Sequence, residues 1–196
     1  MARGRHSNGR PIHEQTHRIT EQALAQGYAV LALNARRHGE RKDPAQDLRR
    51  LIRDLHLWGA REPYERMIGD TVRDYRHALD ARQVAVVGYS MGAQMALLLG
   101  GVDARVQRVD ALVPPHLDER VAAVAPRSLR PGLAGKQVWL FSASDDEYAS
   151  PAQSQAQFEA IPSAAKQHVR FEGGHLLPAP YVERLQPWLA GASSQR

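Results

Sequence analysis

The chain has 196 residues, with 26 Lys and Arg against 21 Asp and Glu, a formal charge of +5, nine His and no Cys. That length suits one domain over residues 1–196 with a sizeable core, and is too short for two ordinary enzyme domains. The lack of cysteine excludes disulfides, thiolate metal sites and cysteine nucleophiles, so any nucleophile must carry oxygen. No run of ~18 apolar residues is present and MARGRHSNGR lacks the apolar core of a secretory signal, which predicts a soluble, cytoplasmic protein without a membrane partner.

The first pattern along the chain is HEQTH at 13–17. His13 and His17 stand at i, i+4 with Glu14 between them, the spacing with which one helical face offers a zinc ion two nitrogens and a carboxylate for water. The extended motif needs Gly at 20 and His at 23, where this chain has Thr20 and Ala23. The pair is therefore read as the surface of an amphipathic helix within QTHRITEQALAQGY, and no metal is expected. The run YAVLAL, 28–33, reads as the first buried strand.

Arg36, Arg37, Arg41, Lys42, Arg49, Arg50 and Arg53 then crowd one stretch, interleaved with Asp43, Asp47 and Asp54. Few aromatics and no nucleic-acid motif accompany them, so the stretch reads as a solvated face that could also attract an anionic substrate, and no nucleic-acid partner is expected. Tyr64, Met67, Ile68, Val72, Tyr75 and Leu79 fall on one face of a predicted helix that Pro63 suits in its first turn. Further strands are predicted at 84–88, 106–113, 138–141 and 168–171, with an irregular connection or small cap over 114–135. A last helix carries Tyr181, Val182, Leu185, Trp188 and Leu189. Strands alternating with helices predict an α/β fold with a mostly parallel sheet of about five strands, covered on both faces.

The stretch VAVVGYSMGAQMALLL, 84–99, sets Ser90 between Gly88 and Gly92 where a strand turns into a helix. Such an elbow holds its serine in a strained backbone conformation and needs small residues two positions away on either side. A hydroxyl is a poor nucleophile until a base takes its proton, so an oriented histidine must follow. The predicted strand VWLF runs into SASDDEYASP, in which Asp145 is the candidate carboxylate ahead of Asp146. The last predicted strand runs into EGGHLLP, which makes His175 the candidate base.

The order Ser90, Asp145, His175, each after a successive strand, resembles the α/β-hydrolase fold, and YAVLALNARRHGER is similar to the strand and loop preceding the elbow in its dienelactone-hydrolase-like and acyl-esterase members. Where those relatives commonly read Asp-x-Arg-Gly-His-Gly, this chain has Asn34-Ala35-Arg36-Arg37-His38-Gly39. The likeness covers about residues 15–190. It implies a serine hydrolase of carboxylic esters or related acyl bonds, with the Met91 N–H as one oxyanion donor, a small-molecule ester as substrate, and no cofactor. Relatives also carry earlier strands and a His-Gly loop that supplies a second donor; nothing before residue 15 matches them, so the sheet is expected to be shortened at its N-terminal side. The alternatives from another class are a non-catalytic hydrolase-like binding module and an inactive truncated fragment. Oligomeric state is left open, a homo-oligomer included.

Overall fold

Four runs rich in Val, Leu and aromatic residues form the sheet: β1 Val84–Tyr89, β2 Val106–Leu112, β3 Gln137–Ala143 and β4 Lys166–Phe171. They lie in the order β1-β2-β3-β4, and every pairing is parallel. The computed structural model describes residues 19–43, 45, 47–80 and 83–190. His13, Glu14 and His17 lie outside the described residues. The helices are α1 Ile19–Ala25, α2 Leu48–Trp58, α3 Arg61–Ala78, α4 Met91–Val102, α5 Pro151–Glu159 and α6 Tyr181–Leu189, with 3₁₀ turns at Gly39–Arg41, Glu119–Val124 and Pro126–Leu133.

Alternation along each strand divides the core into two layers. On one face Val86, Val109, Ala111, Val138 and Leu140 pack with α2, α3, α4 and the 3₁₀ segments. On the other, Tyr89, Leu112, Trp139 and Phe141 pack with Ile19 of α1 and with Tyr181, Leu185 and Trp188 of α6. Helix α4 is buried all round, from Met91 to Gly100, which is why its sequence is nearly uniform in hydrophobicity and shows no polar stripe. Its one large polar residue, Gln94, is fully buried and satisfied at both ends. Tyr64 Oη of α3 donates to Gln94 Oε1 at 2.8 Å, and Gln94 Nε2 donates to the Val124 carbonyl at 2.8 Å.

Two departures from the sequence reading stand out. The run 28–33 belongs to no strand of the sheet, and only Leu33 forms an isolated bridge, so the described sheet has four strands where about five are expected. The basic stretch contributes a helix the apolar periodicity hides. In α2, Leu51 and Ile52 turn inward while Arg50 and Arg53 pair with Asp54 on the outside. Asp47 caps its first turn through Arg49 N, and Gly59, at φ 64°, ends it in the left-handed conformation favoured for glycine. The loop after residue 33 is fastened to α3 by Arg36 and Arg41, which both bond Asp74, with Arg36 also reaching Asp70. The two guanidiniums hold the Asp74 carboxyl down at about 2. Among the described residues no helix is long and apolar enough to cross a membrane.

Among the described residues, Asp110 is the one carboxylate on the sheet's strands that is fully buried. Neither of its oxygens has a hydrogen-bond partner, nor does the indole nitrogen of Trp139, its register partner on β3. Burial pushes its pKa well above the ordinary carboxylate value, so the folded chain keeps a proton there that the unfolded chain releases. Stability must then fall as pH rises above ~4, where the unfolded carboxyl ionises. The Asp110→Asn variant cannot titrate, so its gain in unfolding temperature over wild type should be larger at pH 8 than at pH 4.5; equal gains at both pH values in thermal unfolding would show that Asp110 is charged in the fold.

Candidate active site

The carboxyl ends of the parallel strands are level, with Tyr89 beside Leu112, Leu112 beside Phe141 and Ala143 beside Phe171. Side chains leaving β1, β3 and β4 therefore emerge at one rim, where open α/β sheets gather reactive groups. At that rim Ser90 has φ 57° and ψ −124°, a conformation that costs on the order of 1–3 kcal/mol for a residue with a side chain. It is enforced from both sides. Ser90 N donates to the Leu112 carbonyl at 2.8 Å, prolonging the β1–β2 ladder, while the Ser90 carbonyl already accepts from Ala93 N and Gln94 N as the start of α4. A Cβ at position 88 would lie 2.0 Å from the Gly92 carbonyl oxygen, so the strand and helix can approach this closely only with glycine there.

The strands are about 4.8 Å apart, so a residue following β4 starts roughly 14 Å from β1 and must double back across the sheet to meet Ser90. Residues 172–175 do so through Gly173, at φ 114°. The returned loop is held by Tyr89, whose hydroxyl donates to the His175 carbonyl at 2.8 Å and accepts from Leu177 N at 2.8 Å. His175 Nε2 then lies 2.7 Å from Ser90 Oγ. Burial, helped by the nearby negative charge of Asp146 and opposed by the Leu177 N–H bond, pushes the Tyr89 phenol's pKa up to about 12.

The carboxylate facing the imidazole is that of Asp146, with Oδ1 and Oδ2 at 2.9 and 3.1 Å from His175 Nδ1. Asp145, ahead on sequence grounds, does not reach His175. Its backbone is already in the turn that follows β3, where Ser144 N and Asp145 N both donate across to the β4 side, to the Phe171 and Gly173 carbonyls at 2.9 Å, and its side chain turns outward to accept from Ser144 Oγ at 3.1 Å. One residue further, the side chain points the opposite way, and Asp146 is buried, with Tyr148 N donating to its Oδ1 at 2.9 Å. The Tyr148 ring packs edge-on against the imidazole at 4.5 Å between centroids and forms an exposed lip. Met91 occupies the first position of α4, whose opening N–H groups lie ahead of any intrahelical acceptor.

Tyr89 and Tyr148 are the site residues the sequence reading passes over. Tyr89 lies inside GYSMG, where the motif leaves its position free, and only its inward direction from an alternating strand signals a role. Among the described residues no cluster of three or more His, Asp or Glu is arranged to hold a metal ion.

The profile of the family described as the dienelactone hydrolase family matches residues 8–169. Among solved structures, the PEG-bound form of a cold-adapted esterase from an Arctic intertidal metagenomic library is 20% identical, with a TM-score of 0.66 over 92% of this chain and 76% of that one. An esterase of Pyrococcus furiosus is 14% identical, with a TM-score of 0.64 over 97% and 78%. Against the zinc-bound form of the Arctic esterase the match is 23% identical with a TM-score of 0.51, covering 65% of each chain, so this chain spans just under two thirds of that length. These likenesses establish the α/β-hydrolase fold. No curated protein matches the chain.

Removing the Tyr89 hydroxyl strands a buried N–H and deprives a carbonyl of its donor, a loss of about 1–3 kcal/mol. The Tyr89→Phe protein should therefore unfold at lower temperature and exchange its Leu177 amide faster than wild type; unchanged exchange at Leu177 would show that the loop is held by other contacts.

Proposed function

The chain belongs to the dienelactone hydrolase family, and from that premise we propose that it is a serine hydrolase that cleaves a carboxylic ester or related acyl bond of a small molecule. The observation that carries the reading is the continuous hydrogen-bonded line Ser90 Oγ, His175 Nε2, His175 Nδ1, Asp146, with the serine on a strained turn at the sheet's carboxyl rim.

In this reading His175 Nε2 removes the hydroxyl proton as Ser90 Oγ attacks the acyl carbon, and the tetrahedral oxyanion forms beside the start of α4. The Met91 N–H stabilises that charge, and a single donor of this kind is typically worth ~10²–10³ in turnover. The imidazolium returns its proton to the departing alkoxide, leaving an acyl group on Ser90. Water then takes the alcohol's place, gives its proton to His175 and attacks the acyl carbon, and Ser90 Oγ leaves with that proton. Asp146 accepts a hydrogen bond from the Nδ1–H, which fixes the tautomer that leaves Nε2 basic, and its burial keeps its oxygens from solvent. Tyr89 is a positioning residue, since it touches the His175 backbone and not the reacting atoms.

Labelling with a fluorophosphonate and hydrolysis of a short-chain p-nitrophenyl ester test the reading together. Wild type should label and turn over. Ser90→Ala should do neither, and Asp146→Asn should lose turnover by ~10³–10⁴ because the imidazole then takes the wrong tautomer. Asp145→Asn should stay within a few-fold of wild type. A folded wild type that neither labels nor hydrolyses leaves the non-catalytic module as the function, whereas loss at Asp145 with Asp146→Asn active reverses the assignment of the carboxylate.

A further inference from the structure

Cleavage by Ser90 and His175 restricts where the alcohol half of an ester can lie. When the bond between the acyl carbon and the ester oxygen breaks, that oxygen takes the proton His175 removed from Ser90, so it must come within ~3 Å of His175 Nε2. The carbon bonded to it then rests against the imidazole or against a group packed on the imidazole. The surroundings of His175 therefore set the place of the alcohol, whatever acyl group the substrate carries. Among the described residues two rings pack edge-on against this imidazole, Tyr89 at 6.1 Å and Tyr148 at 4.5 Å between centroids. Tyr89 is buried, and its hydroxyl is taken up by the His175 carbonyl and Leu177 N. Tyr148 is 39% exposed and supplies the open aromatic surface beside the base.

That surface is held in place by its main chain. Tyr148 N donates to Asp146 Oδ1, and the Tyr148 carbonyl accepts from His116 N, each at 2.9 Å. The next residue, Ala149, is buried, and Ser150 then caps α5 through Gln153 N. Only the two torsions of the side chain are left to the ring, so the wall stands before a substrate arrives and little ordering cost opposes binding. Charge does not set a preference here, because both signs surround the ring. Asp145, Glu147 and Glu172 are exposed in the two loops that carry Asp146 and His175, while His116 and Arg127 belong to the opposite lining, Arg127 Nη1 donating to the Leu117 carbonyl at 2.6 Å. Selection is left to shape and dispersion. A flat aromatic alcohol gains both buried area and the ring-to-ring attraction of an offset or edge-on pair, whereas a short alkyl alcohol covers little of the ring and a saturated ring lacks the second gain.

Resting on the reading of Ser90 as the nucleophile, we propose that Tyr148 is a specificity-determining residue: its ring is the wall against which the alcohol half lies, and the preferred substrates are esters of flat aromatic alcohols such as benzyl alcohol. Ethyl, cyclohexylmethyl and benzyl acetate test this with the full chain, since they share one acyl-enzyme and differ in the shape of the alcohol. In wild type kcat/KM for benzyl acetate should exceed that for ethyl acetate roughly tenfold or more, and that for cyclohexylmethyl acetate roughly threefold or more. Tyr148→Ala should bring the three esters within about threefold of one another, and Tyr148→Phe should keep the wild-type preference. Deacylation, which the alcohol has already left, should run in Tyr148→Ala within about threefold of wild type, read as the decay of the acetyl-enzyme formed from p-nitrophenyl acetate. Leu176→Ala, which removes an exposed apolar side chain next in sequence to His175, should also keep the preference. The proposal alone is overturned if wild type labels with fluorophosphonate yet treats the three esters alike, or if Leu176→Ala abolishes the preference as fully as Tyr148→Ala. It is likewise overturned if Tyr148→Ala slows acylation by all three esters and deacylation by the same factor, as loss of a cover over the His175–Asp146 pair would. A wild type that does not label overturns it together with the reading of Ser90.

Discussion

The arrangement at the carboxyl rim depends on one close approach, that of the β1 backbone to the first turn of α4. Glycine at 88 lets the Gly92 carbonyl come within what would be a steric clash for any other residue, and the chain between them can turn only by placing Ser90 in a conformation side-chain-bearing residues avoid. The strain persists because both flanking elements are buried: β1 is laddered to β2, and α4 is enclosed on every side. A serine on an ordinary strand would project its side chain onto one face of the sheet instead of out at its carboxyl rim, away from an imidazole returning from two strands beyond β2.

The same motif positions the base. Tyr89 and Ser90 are adjacent, and the first fastens the backbone of the residue whose side chain meets the second. The separation of hydroxyl and imidazole is thus set by two adjacent residues where β1 ends, although the two groups stand 85 positions apart along the chain. The flexible glycines at 173 and 174 supply the turn, while the phenol supplies the register.

Much of this was legible in the sequence, for reasons that differ by residue. Gly88, Ser90 and Gly92 announce themselves because a tight elbow admits few residue types, and His175 follows from its place after the last strand. The choice between Asp145 and Asp146 was not legible, because it turns on the shape of the turn after β3, where Ser144 N and Asp145 N both bond to the β4 side and the strand's alternation no longer says which side chain faces inward. The run 28–33 has the composition of a buried strand and yet joins no ladder, since a strand needs a neighbour and composition alone says nothing of whether one is adjacent. Helix α2 is faint in the sequence because its inward residues, Leu51 and Ile52, are few and set among arginines.

Gln94 has a wider reach than its single position suggests. Its amide joins α3 on one side to the end of the 119–124 turn on the other, through the interior of a helix that begins at the elbow. The three elements are thereby coupled through one planar group, so that any sliding of the segment roofing this face of the sheet must either carry α3 with it or leave a dry amide without partners. Mobility over that face is therefore a collective property of two layers, and evolution of a new roof would have to proceed around this fixed point.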